Sequence, residues 1–234
     1  MPIMGHLTEL RDRLIKIVLF IIAGAIISFI FINNLISIIL QLVPKPGQGQ
    51  RPISLIALQP TEVFVTYFQV ALIAGIILAM PGVIYQILAF VTPGLTRQER
   101  RWLFTALPFV TIFFAAGVLF AYFVVLPSAL NFLLFFGDPS IQGQYPIGTF
   151  FGFVTTFSLA IGLVFLLPVI IYILARLHIV NTRLLKKARR YVIVAAFIIA
   201  AIITPTPDPV NQTIVAVPMI LLYEVGLFLT RFVH

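Results

Sequence analysis

The chain has 234 residues, 61% of them hydrophobic and only 9% charged, with a mean hydropathy of +1.14. A soluble domain carries about 25% charged residues, so the composition is that of an integral membrane protein, and the length suits one domain over residues 1–234. The formal charge is +8 and there is no cysteine, which excludes disulfides, thiolate nucleophiles and Cys-ligated metals.

The apolar runs are continuous rather than alternating, which predicts an all-α, polytopic protein and not a β-barrel. In such a protein the first meaning of excess positive charge is loops that face the cytoplasm, not nucleic acid. The N-terminus reads MPIMGHLTELRDRL before an apolar run from Ile17 to Ile32. That run is too long for a signal-peptide core and no small-residue cleavage site follows it. A helix is expected from His6 through Leu42, its first two turns outside the lipid. Glu9 and Arg13 stand four apart and can pair along one helix face.

Val43 to Pro60 is rich in Pro, Gly and Gln and reads as a long extramembrane loop. Its apolar patch Ile-Ser-Leu-Ile-Ala-Leu at 53–58 is expected to lie on the membrane surface. Pro60, Thr61 and Glu62 then open a second span, Val63 to Val91, and Glu62 reads as an ordinary acid of a helix N-terminus. Pro93 and Gly94 end that span. Arg97, Arg100 and Arg101 follow, with one acid, Glu99, among them. Glu99 has two readings: a solvated acid paired with its neighbours, or a carboxylate held at the membrane surface to receive a cation.

The third span is expected from Trp102 to Pro127, followed by a loop through Gly148 without Lys or Arg. The fourth runs from Thr149 to Leu177, and the most basic stretch of the chain follows it. The fifth apolar run is only Tyr191 to Ile203. After a Pro-rich turn at 204–209, the sixth runs from Val210 to Val233, its first turn made polar by Asn211 and Gln212. Of the 15 Lys and Arg residues, 13 fall before the first span, in alternate loops and in the tail, and 2 fall in the others. That asymmetry predicts six spans with both termini in the cytoplasm.

Span two contains Gly75, Pro81 and Tyr85; span four repeats the spacing with Gly162, Pro168 and Tyr172. This is either a parallel internal repeat or the ordinary frequency of Gly and Pro in membrane helices. Pro81, Pro108 and Pro168 are each expected to kink their helix.

The chain has no P-loop, no paired His ligands and no Gly-x-Ser-x-Gly elbow, so it does not read as an enzyme. Glu224 is the exceptional ionisable group within a span. Such a carboxylate is functional by default, although this one is about two turns from the helix end and can reach the interface. Glu9 lies five residues before the first span and Glu99 three before the third, so both are expected at a similar depth. Two such carboxylates can each grip a guanidinium.

The motifs His6-Leu7-x-Glu9-Leu10-Arg11-x-Arg13, Ser54 to Glu62, Pro81 to Gln86 and Glu99-Arg100-Arg101 resemble those of the TatC family, the multispanning core of twin-arginine protein translocases. Ala89-Phe90 with Pro93, Ala121-Tyr122-Phe123 with Pro127, Thr204 to Gln212, and Pro218 with Tyr223-Glu224 extend the match over nearly the whole chain. The resemblance implies a receptor, in the cytoplasmic membrane of a prokaryote, for folded precursors carrying twin-arginine signal peptides. It maps the contacts of the signal's arginines onto Glu9 and Glu99, with Arg11, Phe90 and Arg101 nearby. It also implies TatA- and TatB-type single-span partners docked on span five, with Thr204 and Gln212 as polar contacts, together with self-association and no cofactor.

Two departures stand out. Many members of the family carry Glu or Gln just before the proline equivalent to Pro168, where this chain has Leu166, and the turn at 204–208 is one residue longer than usual. A face open to water would let Leu166→Glu be tolerated. The short spans five and six suggest a locally thinned membrane where partners dock. The alternative class is a secondary transporter or small channel, which should show ion-pair residues in corresponding spans.

Overall fold

Backbone groups in hydrocarbon must be satisfied within their own segment, so each apolar run folds as a helix. The structure, a computed structural model, describes residues 3–44, 53–92, 96–135, 143–177, 180–204 and 209–230, less the side chains of 3–6, 91, 98, 99, 102, 182, 210 and 211. The expected first helix is two, α1 (Ile3–Ile30) and α2 (Ile32–Leu40), separated at Phe31 where φ is −96° and ψ 20°. The break lets α2 turn inward and bury Ile32, Ile36 and Ile39. Most of α1 keeps its surface outward, and its main contact is α3 (Glu62–Val91). Where the two cross, a Cβ on Gly24 would come 2.4 Å from the Gly75 carbonyl oxygen, and one on Gly75 2.4 Å from the Ala25 nitrogen. Only glycine allows this approach of two backbones, the usual small-residue device of membrane helix packing.

The third span is longer at both ends than expected. α4 (Arg97–Phe120) begins within the basic segment, and the chain continues through a π-helical turn, Ala121–Val125, into α5 (Leu126–Phe135). In that turn the Leu126 N–H bonds Ala121 O, five residues back. Pro127 has no N–H to donate, and the widened turn is how the helix absorbs it. Segments expected to be loops are therefore helical from Arg97 and up to Phe135.

The fourth span is broken into α6 (Ile147–Val164) and α7 (Leu167–Arg176), with Phe165 and Leu166 between them. Pro168 cannot donate to the carbonyl four residues back, and its ring crowds that group, so the helix stops and restarts. Helix α3 runs unbroken past Pro81, and α4 past Pro108. Leu166 is 8% exposed and packs with Phe114 and Val169 in a core shared by α3, α4 and α7. This corrects the expectation of a water-facing Leu166: a glutamate there would be driven into packed apolar side chains.

Helix α8 (Thr182–Ile203) starts at Asn181, whose side chain accepts from the Arg183 N–H at 3.2 Å. Its 22 residues rise ~33 Å. The basic stretch thus forms its first turns, continuing the short apolar run Tyr191–Ile203 at one end. It pairs with α9 (Pro209–Leu229), which packs against α7. Among the described residues, five segments are long and apolar enough to cross a bilayer unaided: 7–30, 62–90, 103–135, 147–176 and 212–229. The apolar half of α8 is the sixth hydrophobic segment.

Outside the helices, β1 (Ile53–Ile56) pairs in parallel with β2 (Gly143–Pro146), Ile53 opposite Gly143. The Ile-Ser-Leu-Ile stretch of the expected extramembrane loop satisfies its main chain by strand pairing. Nearby the Tyr145 hydroxyl donates to Leu134 O at 3.0 Å, and the Tyr122 hydroxyl to Ile38 O at 3.0 Å. These bonds tie α5 and α2 to the same end of the bundle.

Candidate functional site

The start of α1, the end of α3 and the start of α4 meet at one end of the bundle, the end that carries the basic segments. Arg13 is the bridge from α1 to α3. Its Nε and Nη2 donate to Glu9 Oε1 at 3.0 and 2.6 Å, and its Nη1 lies 3.4 Å from Gln86 Oε1. The Glu9 and Arg13 side chains are 24% and 21% exposed. Gln86 is buried. Among the described residues the other carboxylate oxygen of Glu9 takes no hydrogen bond. The expected pair is therefore present, and it has a third member, Gln86, from the opposite helix.

One residue before Gln86, the Tyr85 ring lies 5.6 Å from that of Phe104 on α4. The Arg100 guanidinium stands over the same Phe104 ring at 5.9 Å. This stack holds the basic first turns of α4 against the end of α3. Glu99 belongs to the opening turn of α4, but its side chain lies outside the described residues. Arg101 is exposed one turn before Thr105, whose hydroxyl donates to Arg101 O. Phe90 is half-buried, one turn beyond Gln86 on α3. Arg11 is exposed and pairs with Asp12 at 2.9 Å rather than joining Glu9 and Arg13.

The opposite end of α3 carries Glu62, which does more than begin a helix. Its Oε1 accepts from the Gly148 N–H at 3.0 Å and its Oε2 from the Leu58 N–H at 2.6 Å. It fastens the β1 loop and the start of α6 to α3. A Cβ on Gly148 would reach 3.2 Å from the carboxylate, so glycine admits the close contact.

The α8–α9 hairpin holds the remaining candidates. Thr204 is buried and its hydroxyl donates to Ala200 O at 2.7 Å, within its own helix. Gln212 Nε2 donates to Phe197 O at 2.8 Å, joining the first turn of α9 to α8. At the basic end Arg189 pairs with Glu224 and the Tyr223 hydroxyl donates to Leu185 O at 2.7 Å. Glu224 is thus the partner of a cation on the neighbouring helix. Gly226 lets α9 close on Pro168 and Ile171 of α7. Sequence reading missed Gln86 as a member of the Glu9 site. The available signal was an amide within an apolar span, at the end of the Pro81-to-Gln86 motif.

Helices long and apolar enough to cross a bilayer, with carboxylate and guanidinium groups gathered at one end, define a polytopic helical membrane protein. The family model described as TatC, Sec-independent protein translocase protein, matches residues 5–218, and the chain belongs to that family. It is 39% identical over 233 residues to the Sec-independent protein translocase protein TatC of Carboxydothermus hydrogenoformans, covering 100% of this chain and 94% of that protein. It is also 39% identical to the TatC protein of Deinococcus radiodurans, over 98% of this chain and 86% of that one. A crystal structure of the twin-arginine translocase receptor TatC matches with a TM-score of 0.78 at 35% identity, covering 97% of this chain and 99% of the other. The receptor in DDM matches with a TM-score of 0.82 at 34% identity, over 96% and 98%.

Proposed function

We propose that this chain is the signal-peptide receptor and core of a twin-arginine translocase, set in the cytoplasmic membrane of a prokaryote with six spans and both termini inside. The distribution of Lys and Arg supports that sidedness, since the basic end then faces the cytoplasm. Glu9 and Glu99 receive the arginines of the signal. The observation that carries this reading is Glu9 itself: a half-buried carboxylate with one oxygen held by Arg13 and the other without a hydrogen bond among the described residues, at the end of the bundle where the arginine-rich α4 begins. Single-span partners of the TatA and TatB type dock on α8, whose Val194, Ile198 and Ile202 form an exposed apolar row at helical spacing. Thr204 and Gln212 lie at the outer end of that surface, Thr204 bonded within α8 and Gln212 across the hairpin to it. Self-association completes the assembly, and the transport step uses no bound cofactor.

The test is binding of a labelled twin-arginine signal peptide to the purified protein. Glu99→Ala and Glu9→Ala should each weaken it at least tenfold, roughly 1.4 kcal/mol. Folded variants that bind as tightly as the parent would refute the receptor assignment to these two acids.

A further inference from the structure

Arg13 presents to Glu9 the same guanidinium that the proposed ligand would present. We infer that Arg13 is an internal competitor that sets the arginine specificity of the site, with Gln86 as the acceptor that rehouses it. This deepens the signal-receptor reading and rests on it.

The resting pair uses only half of the Glu9 carboxylate. Both of Arg13's bonds fall on one oxygen, Oε1, and Oε2 is left open among the described residues. A second guanidinium can form a planar two-bond fork with Glu9 only if it takes both oxygens. Arg13 must then leave Oε1. Its Nη1 already lies 3.4 Å from the Gln86 carboxamide oxygen, so a small rotation converts that long contact into its new bond. Gln86 is 5% exposed, and little water can take its place as the acceptor.

An ammonium group behaves differently. It has no planar fork and bonds as a compact point charge. It reaches Oε2 while Arg13 still holds Oε1, so two cations share one carboxylate. The attraction that remains for the newcomer is reduced by the resident charge. A signal arginine exchanges Arg13's two bonds on one oxygen for a fork across both, whereas a signal lysine binds a carboxylate already neutralised. Arg13 therefore discriminates against lysine without touching the ligand.

The experiment measures affinities of a twin-arginine peptide and its Lys-Lys counterpart for the full-length protein and for Arg13→Leu, Arg13→Gln, Arg13→Lys and Gln86→Met, each checked for helicity and melting temperature. Removing the competitor should raise affinity for both peptides. The gain should be greater for Lys-Lys, so that the ratio of the two affinities falls about tenfold. Arg13→Lys should retain part of the discrimination. Gln86→Met should weaken the Arg-Arg peptide and leave the Lys-Lys peptide unchanged. Arg13→Gln keeps a polar side chain beside Gln86 and carries the same test if Arg13→Leu does not fold. If Arg13→Leu and Arg13→Gln weaken both peptides with an unchanged ratio, Arg13 merely positions Glu9 and the inference is overturned. A parent protein that binds neither peptide, or is indifferent to Glu9→Gln, overturns the receptor reading itself and this inference with it.

Discussion

Two carboxylates mark opposite ends of the α1–α3 pair, and their bonding differs in kind. Glu62 gives each oxygen to a backbone N–H of another segment, Leu58 and Gly148. Glu9 gives one oxygen to a single side chain, Arg13, and leaves the other open among the described residues. A backbone donor cannot move away without local unfolding, so the Glu62 bonds are permanent. A guanidinium on a flexible stem can be exchanged for another. The difference separates a carboxylate that builds the fold from one that can work within it, although both stand near the start of a helix.

The most severe perturbation strikes between the two ends. Gly75→Leu puts a Cβ 2.4 Å from the Ala25 nitrogen of α1, and no rotamer change relieves a clash with main chain. The expected outcome is loss of folded, monodisperse protein on size-exclusion chromatography, with stability and binding lost together. Glu62→Ala is next. It strands two N–H donors and should give the largest fall in melting temperature among variants that still fold, with signal-peptide affinity changed less than about twofold. Glu9→Ala reverses the pattern. An i,i+4 pair contributes only about 0.3–0.5 kcal/mol to a helix, so the melting temperature should scarcely move while affinity falls at least tenfold. Arg11→Ala should be the mildest in both assays, because the exposed Arg11–Asp12 pair contributes about 0–1 kcal/mol and stands apart from Glu9.

Hydropathy and charge made the helices legible because span length and loop charge are local properties. The extension of α8 through its basic stretch was legible for the same reason. The pairing of β1 with β2 was not: Ile53 meets Gly143 across several intervening helices, and neither four-residue strand carries a pattern of its own. Pro81 and Pro168 share identical spacing from Gly and Tyr, yet α3 continues and α6 breaks. Near the second break, Gly162 and Phe165 crowd against Gly117 on α4, a contact that sequence spacing does not encode. At the site, the four-residue separation of Glu9 and Arg13 showed their pairing. Gln86 joins them only because α3 returns antiparallel to α1 through the Gly24–Gly75 crossing.

The central claim is that Glu9 bonds an arginine of the signal directly. A double-mutant cycle tests it, combining Glu9→Ala with replacement of each signal arginine by glutamine and measuring binding of all combinations. The account predicts a coupling of about 1.5–3 kcal/mol between Glu9 and one of the two arginines, and none for either arginine with Glu62→Ala. Strict additivity of Glu9→Ala with both peptide substitutions would contradict it.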